Sequence, residues 1–387
     1  MTGSLSRSRP PRIFLLVLAI VLVGLMFFVI PVQAQDNQPG NDACLACHQQ
    51  PAAPHNLPSG ELLDVTIVPE TYSSSAHGME QMQCVQCHTD ITEYPHPENP
   101  NVQDARDYAL MYRDSCMECH EDQYQELNDS VHTQALLEGN KNAPVCSDCH
   151  NPHTQPPLNV EDGKLEPGHG ALVAQTCARC HNAIFEQYAD SVHGAGVLQD
   201  RNPDTPTCTD CHGVHQIADP TTAEFRLNSP QLCAECHTNE QMMAKYNLST
   251  DVLDTYVSDF HGTTVTLFEK THPDQPTNKP VCYDCHGVHN IVSVDDPERG
   301  IQVKENMLAT CQTCHPDASE NFSASWMSHY IASPTRFPLV YWVNVFYNIF
   351  IPLVLGGMGL FVLSDIIRRT GILRRKNQTT AVKGSKE

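Results

Sequence analysis

The chain has 387 residues, 18 cysteines, 21 histidines and a formal net charge of −22. The acidic balance argues against a nucleic-acid partner, because duplex-binding proteins lean basic. Length excludes a small disulfide scaffold, and the mixed composition excludes a collagenous or low-complexity chain. Much of the apolar content sits in two end segments, so something other than side chains must fill the interior between them.

The N-terminal segment has the features of an export signal. Residues 1–12 hold three arginines and no acid, and an uninterrupted run of apolar or small residues covers 13–30. A basic flank, an apolar run and a small-residue stretch ending at Ala34 are typical of a signal peptide. The run is also just long enough to span a bilayer. Residues 1–34 are therefore predicted to be a signal peptide or a retained N-terminal anchor, with the mature chain outside the cytoplasm.

Every cysteine falls in one pattern. Nine C-x-x-C-H motifs use all 18 cysteines, and C-x-x-C-H is the attachment signature of c-type haem. The two thiols add to the haem vinyl groups, and the adjacent histidine becomes the proximal iron ligand. Nine covalent haems are therefore predicted. The motifs are Cys44, Cys47 and His48; Cys84, Cys87 and His88; Cys116, Cys119 and His120; Cys146, Cys149 and His150; Cys177, Cys180 and His181; Cys208, Cys211 and His212; Cys233, Cys236 and His237; Cys282, Cys285 and His286; and Cys311, Cys314 and His315.

Other uses of paired cysteines fit this pattern poorly. Zinc sites do not require a histidine directly after every second cysteine. A disulfide framework is plausible outside the cytoplasm, but it would not space all cysteines identically. A thioredoxin-like redox motif occurs once per domain rather than nine times.

Twelve histidines remain, and nine of them fall into patterns. Five end a Ser-x-His, Asp-x-His or Ser-His sequence, three lie three residues after a motif histidine, and one follows a motif at a longer interval. One further imidazole per iron would complete bis-histidine ligation, which we expect. The predicted distal ligands are His77, His132, His193, His261, His329, His153, His215, His289 and His96; His55, His169 and His272 remain as spares.

Geometry restricts which histidines can share an iron. Axial ligands stand on opposite faces of a haem, with iron–nitrogen bonds of about 2 Å. His150 and His153 are three residues apart, so they are expected to bind different irons. The segment 121–132 is predicted as a helix, which would be about 18 Å long. His120 and His132 are therefore also expected to bind different irons.

The chain repeats itself. A C-x-x-C-H motif, a helix, a Ser-x-His sequence, a Pro- and Asn-rich loop and a second motif recur in this order, with one such helix predicted over 182–193. Repeats of this kind stack so that each unit covers its neighbour. The predicted fold class is mainly α with extensive irregular loops, built from two-haem modules. The predicted exported domain, 35–336, contains modules at about 44–96, 116–153, 177–215 and 233–289 and a half module at 311–329.

The C-terminal region predicts a membrane span. Phe337 to Leu363 is an apolar stretch of 27 residues without a charge, long enough to cross the hydrocarbon core. Basic residues follow, and the positive-inside rule places them in the cytoplasm. We predict a transmembrane helix over 337–367 and a cytoplasmic basic tail over 368–387. The haem domain would then lie on the periplasmic or extracellular side of the cytoplasmic membrane.

The repeated motifs resemble multihaem cytochromes c of the class III and doubled C-x-x-C-H type. The resemblance rests on the nine motifs and on the Ser-x-His-Gly helix followed by C-x-x-C-H-G-x-H, and it covers residues 44–329. Similar modules occur in octahaem and decahaem periplasmic electron carriers. The resemblance implies covalent haem c and electron transfer, and it leaves the physiological partner open.

Two functions follow as hypotheses. The first is a membrane-anchored electron carrier between a membrane partner and an extracytoplasmic redox acceptor, because bis-histidine haem exchanges electrons without binding substrate. A quinol-oxidising cytochrome b-type subunit is the candidate partner, since the span itself lacks histidine and its three glycines suit helix packing. His329 lies eight residues before Phe337, so the last haem is expected at the membrane surface.

The alternative is a terminal reductase of nitrite, hydroxylamine or a sulfur oxyanion. Such an enzyme needs one iron with an open or weakly held position. All nine motifs here end in histidine, so no residue is predicted to be catalytic. The irregular spacing of His96 marks it as the weakest of the predicted ligands.

Overall fold

The computed structural model describes residues 40–49, 54–157, 160–161, 164–165, 168–324, 326 and 329–370. The predicted signal peptide or anchor over 1–34 lies outside the described residues, as does the basic tail beyond residue 370. The described part is mainly helical with extensive loops, which confirms the predicted fold class. Its strands form two antiparallel pairs, His55–Asn56 with Leu62–Leu63 and Val160–Glu161 with Lys164–Leu165.

Most helices are short, and Pro- and Asn-containing loops join them. A helix of one or two turns offers little apolar surface for packing. The helices are Asn41–His48, Pro69–Ser73, Ala76–Met79, Cys84–Cys87, Ala105–Tyr112, the 3₁₀ helix Arg113–Glu118, Glu121–Leu127, Val131–Leu137, Cys146–Cys149, His169–Ala178, Asn182–Ala189, Val192–Leu198, Cys208–His212, Ala223–His237, Glu240–Ala244, Val252–Ser258, Phe260–Thr271, Cys282–His286, Lys304–Gln312, Glu320–Ala324 and Pro338–Thr370.

The second C-x-x-C-H motif of each module begins its own short helix. We call these four the motif helices: Cys84–Cys87, Cys146–Cys149, Cys208–His212 and Cys282–His286. The residue before the second cysteine accepts a hydrogen bond from the backbone N–H of the N-cap. In the third module, for example, Asp210 accepts from Thr207 at 2.6 Å. This contact satisfies a donor that the helix start would otherwise leave unpaired.

The first motif of each module lies instead toward the end of a helix. Cys177 lies in the last turn of His169–Ala178, and Cys233 lies in the last turns of Ala223–His237. One module therefore presents two kinds of motif, one at a helix start and one at a helix end.

Each helix predicted over 121–132 and 182–193 is broken in two, which corrects the single-helix prediction. The breaks fall at Ser130 and Ser191, whose extended backbones cap a second helix. Each serine hydroxyl accepts a backbone N–H from the first turn of that helix, as N-cap residues do. The predicted distal histidine therefore lies in the first turn of a new helix.

We call the four helices of this kind the distal helices. The second residue of each is a predicted distal ligand. They are Ala76–Met79, Val131–Leu137, Val192–Leu198 and Phe260–Thr271.

The described chain divides into two compact units. The first comprises residues up to Tyr108 together with Pro152–Pro156, and the second comprises Ala109–Asn151 and the residues from Pro157 onward. In the second unit, buried apolar side chains form two small clusters: Ala174, Tyr188 and Val197, and Leu227, Val265 and Val281.

The C-terminal helix Pro338–Thr370 contains the predicted span. An 18-residue window within Pro338–Arg369 has a mean hydropathy of 2.1, and none of that window is buried. Length and composition therefore suit a membrane crossing. Asp365 forms ion pairs with Arg368 and Arg369 one turn later, so the helix end is polar.

Candidate haem sites

Eight pairs of histidine rings face each other across the described chain. Each pair joins a motif histidine to a predicted distal ligand, with ring centres 6.0 to 6.4 Å apart. The pairs are His48 with His96, His88 with His153, His132 with His181, His150 with His215, His193 with His237, His212 with His289, His261 with His315 and His286 with His329.

This spacing fits two imidazoles that share one iron. With metal–nitrogen bonds of about 2 Å and ring atoms about 1.1 Å from the ring centre, two such rings lie about 6.2 Å apart. Direct ring stacking at van der Waals contact would bring two parallel rings closer together. The eight pairs therefore have the separation that bis-histidine haem requires.

Hydrogen bonds orient several of these rings. The Nδ1 of His48 lies 2.9 Å from the carbonyl oxygen of Val65, and that of His96 lies 3.2 Å from Pro97 O. A carbonyl oxygen only accepts, so Nδ1 carries the proton and Nε2 keeps its lone pair. Histidine ligands of metal sites are fixed in this way by an acceptor on the other nitrogen.

One ring has a carboxylate as this acceptor. His215 Nδ1 lies 3.2 Å from Glu126 Oε2. The His215 side chain is 24% exposed and that of Glu126 is 56% exposed. A carboxylate makes the imidazole a stronger electron donor than a carbonyl does.

Burial keeps many of the predicted ligands neutral. It lowers the pKa of His193 to about 4, with the neighbouring His237 adding to the effect. Burial is also the first cause that lowers the pKa of His88, His132, His153, His212, His237, His286, His289 and His329. A neutral imidazole is the form that binds a metal.

Seven of the eight ring pairs join neighbouring modules, most of them by a rule along the repeats, and the pair of His48 with His96 lies within the first module. A distal-helix histidine faces the first motif of the next module, as His132 faces His181 and His193 faces His237. A histidine three residues after a motif faces the second motif of the preceding module. His153 faces His88 in this way.

This rule agrees with the expectation that two histidines three residues apart bind different irons. His215 pairs with His150 of the preceding module, although it follows His212 by three residues. At Gly213 a φ of +82° turns the chain directly after the motif, and a Cβ there would lie 2.8 Å from Gln216 O.

The two motifs of one module meet through their first thiols. These thiols lie close enough for one to shift the pKa of the other, in the pairs Cys44 and Cys84, Cys116 and Cys146, Cys177 and Cys208, and Cys233 and Cys282. The two attachment points of each module therefore lie side by side, while seven of the eight ring pairs connect one module to the next.

Backbone hydrogen bonds repeat with the same register. The backbone N–H of the first residue in a distal helix donates to a carbonyl oxygen of the next module. That carbonyl belongs to the residue two positions after a predicted distal histidine. The pairs are Ala76 to Gln155 at 2.8 Å, Val131 to Ile217 at 2.9 Å and Val192 to Ile291 at 2.8 Å. These bonds fix neighbouring repeats in one register.

A set of tyrosines that position the sites was not predicted from the sequence. Tyr72 OH donates to Met82 O, Tyr188 OH to Pro206 O and Tyr256 OH to Pro280 O, each at 2.8 Å. Each tyrosine precedes a distal histidine by five residues, and each accepting carbonyl lies two residues before a motif cysteine. This fixed spacing in three modules is a signal that could have revealed them.

A glycine after the distal histidine accompanies each of these tyrosines. A Cβ at Gly78, Gly194 or Gly262 would come within 2.1 Å of the tyrosine carbonyl oxygen. In the second module, Leu127 and Thr133 stand at these positions instead. Tyrosine and glycine therefore occur together.

The remaining predicted ligands, His77 and His120, lie in different compact units. His77 Nδ1 lies 3.1 Å from Pro152 O. His120 is the N-cap of Glu121–Leu127.

The three spare histidines take other roles in the described residues. His55 Nε2 lies 3.7 Å from Glu98 Oε1, His169 begins a helix, and His272 stacks on Phe268. None of the three faces another histidine ring within the ranges described.

Comparison with known families agrees with the motifs. Residues 70–151 match cytochrome c7 and related cytochrome c, and residues 202–242 match the doubled CXXCH motif. No curated protein matches the chain. The helical fold, the repeated motifs and these matches support the class of multihaem c-type cytochromes and the binding of haem c.

Proposed function

We propose that this cytochrome carries electrons between a membrane partner and an acceptor outside the cytoplasm, through nine covalent haems. The 18 motif cysteines would hold the haems, and the nine motif histidines would be the proximal ligands. The nine predicted distal ligands complete the sites. When bound, haem c supplies a one-electron couple whose potential depends on its axial ligands and burial.

The observation that carries this proposal is the set of eight histidine pairs. A second protein ligand on each iron leaves no position for substrate, which suits electron transfer and not catalysis. The pair of His48 with His96 matters most here, because His96 was the weakest predicted ligand. Its ring centre lies 6.1 Å from that of His48, with the planes 2° apart.

The contacts between repeats support a continuous chain of sites. Thiol contacts join the two motifs within a module, and seven of the eight ring pairs join neighbouring modules. The chain's own residues thus hold successive sites together without depending on a large apolar core.

The C-terminal helix supports an attachment to the cytoplasmic membrane. His329 lies nine residues before Pro338, where the apolar helix begins. Its ring faces His286, so the ligand nearest the span serves the motif of Cys282 and Cys285. The adjacent pair is His261 with His315. We assign these two sites as the electron port toward a membrane partner, with a quinol-oxidising cytochrome b-type subunit as the candidate.

The test uses membranes that contain the full chain. Mass spectrometry counts the haems, and an EPR spectrum of the oxidised protein reports their spin state. We expect nine haems, all low-spin. High-spin ferric haem together with turnover of nitrite, hydroxylamine or a sulfur oxyanion would overturn the proposal in favour of a reductase.

Removing single haems tests the port. The double variant C311A/C314A should slow reduction of the other haems by the membrane quinol pool, while C44A/C47A at the other end should not. Reduction by dithionite serves as the control for intact haems. Equal quinol-dependent rates in the two variants would refute the port assignment.

A further inference from the structure

The N-cap of the last distal helix differs from the other three. Ser75, Ser130 and Ser191 cap the first three helices and are buried. Asp259 caps Phe260–Thr271, and its side chain is 24% exposed. A carboxylate carries charge and accepts more hydrogen bonds than a hydroxyl.

The two oxygens of Asp259 have different partners. Oδ1 accepts the backbone N–H of His261 at 2.5 Å, as an N-cap does, and lies 3.7 Å from His261 Nδ1. Oδ2 accepts the indole N–H of Trp326 at 2.8 Å. One carboxylate therefore contacts both a predicted ligand and a tryptophan 67 residues away.

Trp326 in turn lies against a second predicted ligand. Its ring stands edge-on to that of His329, with ring centres 5.9 Å apart and planes 76° apart. The Nδ1 atom of His329 lies 3.3 Å from Thr255 Oγ1. This Thr255 contact is at the long end of hydrogen-bond distances, so the indole edge contributes to the ring orientation.

We propose that Trp326 is a positioning residue for the haem ligand His329. Its bond to Asp259 fixes the indole, and the indole edge fixes the plane of the His329 ring opposite His286. The planes of these two rings lie 22° apart. The inference rests on the proposed function, because it requires His329 to be an iron ligand.

The experiment compares EPR spectra of the oxidised full chain in detergent. The low-spin signal of a bis-imidazole haem depends on the angle between its ring planes. W326F removes the indole N–H and shortens the ring, so we expect one low-spin signal to shift or become high-spin. W342F changes the other tryptophan, which is 61% exposed on the apolar helix, and should leave all signals unchanged.

Variants of Asp259 distinguish the effect of its hydrogen bond to Trp326 from the effect of its carboxylate charge. D259S installs the N-cap residue of the other three distal helices and removes the acceptor, so it should shift the same low-spin signal as W326F does. Only that signal is compared, because Asp259 also lies near His261. D259N keeps an amide oxygen for the indole without the charge and should retain the wild-type spectrum. In the double variant W326F/D259S, the low-spin signal that W326F shifts should shift no further.

Unchanged spectra in both W326F and D259S, with full haem content, would overturn the inference and leave the proposed function intact. A D259N spectrum like that of D259S would also contradict it, because the charge would then be the cause. If wild-type protein lacks low-spin haem, the proposed function itself fails.

Discussion

His153 faces His88 with the two ring centres 6.0 Å apart and the planes 5° apart. The two residues are 65 positions apart in the chain, whereas His153 is only three positions from His150. The predicted second ligand of the motif at His88 thus lies beside the motif of another module. Seven of the eight ring pairs join different modules in this way, and His48 with His96 is the exception.

Removing His153 should affect the haem held by Cys84 and Cys87, although His153 lies next to the motif of Cys146. H153A leaves one iron without its distal ligand, so one haem should become high-spin and its potential should rise. EPR and redox titration measure both effects.

The control is H272A, which removes a spare histidine that stacks on Phe268. It should leave all haems low-spin. Loss of the ligand from the haem of Cys146 and Cys149 in H153A would show that the ring pairing is wrong.

Glu126 should lower the potential of the haem whose predicted ligands are His150 and His215. Its carboxylate contacts His215 Nδ1 at 3.2 Å and favours the oxidised iron through the ligand. Because Glu126 is largely exposed, solvent screens the effect. We expect E126Q to raise one potential by about 10–40 mV, the equivalent of an exposed ion pair.

Redox titration of E126Q against E138Q tests this effect. Glu138 is the C-cap of Val131–Leu137, and its side chain contacts no histidine in the described residues. E138Q removes the same charge and should shift no potential appreciably. Equal shifts in both variants would mean that net charge acts instead of the His215 contact.

The buried Tyr188 should stabilise the third module through its hydroxyl group. Burial raises the pKa of Tyr188, so the phenol keeps its proton and donates to Pro206 O. Y188F leaves that carbonyl without its donor and should cost about 0.5–1.5 kcal/mol. The midpoint of denaturant unfolding, followed by haem absorbance, measures the loss.

Tyr94 provides the comparison for Y188F. Its hydroxyl is 3.4 Å from Ile91 O and its side chain is 40% exposed. Y94F should therefore change the midpoint little. An equal loss in the two variants would contradict a specific role for the Tyr188 hydroxyl.

Gly194 should tolerate no side chain. A Cβ there would lie 1.8 Å from Tyr188 O, which is backbone and cannot move without displacing the helix before it. We expect G194A to cost about 3 kcal/mol, the upper end of typical overpacking. The matched variant is G40A, whose Cβ would meet its nearest neighbour at 3.9 Å. Similar unfolding midpoints for G194A and G40A would refute the steric argument.

The predictions made from the sequence rested on local patterns. C-x-x-C-H places both thiols and a histidine within five residues, so the attachment chemistry is readable without a fold. The apolar stretch beginning at Phe337 is local in the same sense, and the helix Pro338–Thr370 covers it. The prediction of helices over 121–132 and 182–193 missed the breaks at Ser130 and Ser191, because a serine inside an apolar periodicity does not disclose whether it caps a helix.

The motifs, the supply of histidines and the mainly helical character were determined by the sequence alone. Only the tertiary structure decided which histidine faces which, since the eight pairs join residues more than 40 positions apart. The physical reason is that two ligands of one iron must approach from opposite faces. Close neighbours in the chain cannot do so. Folding must therefore bring a distant histidine to the opposite face, and in seven of the eight pairs that histidine belongs to a different module from its partner.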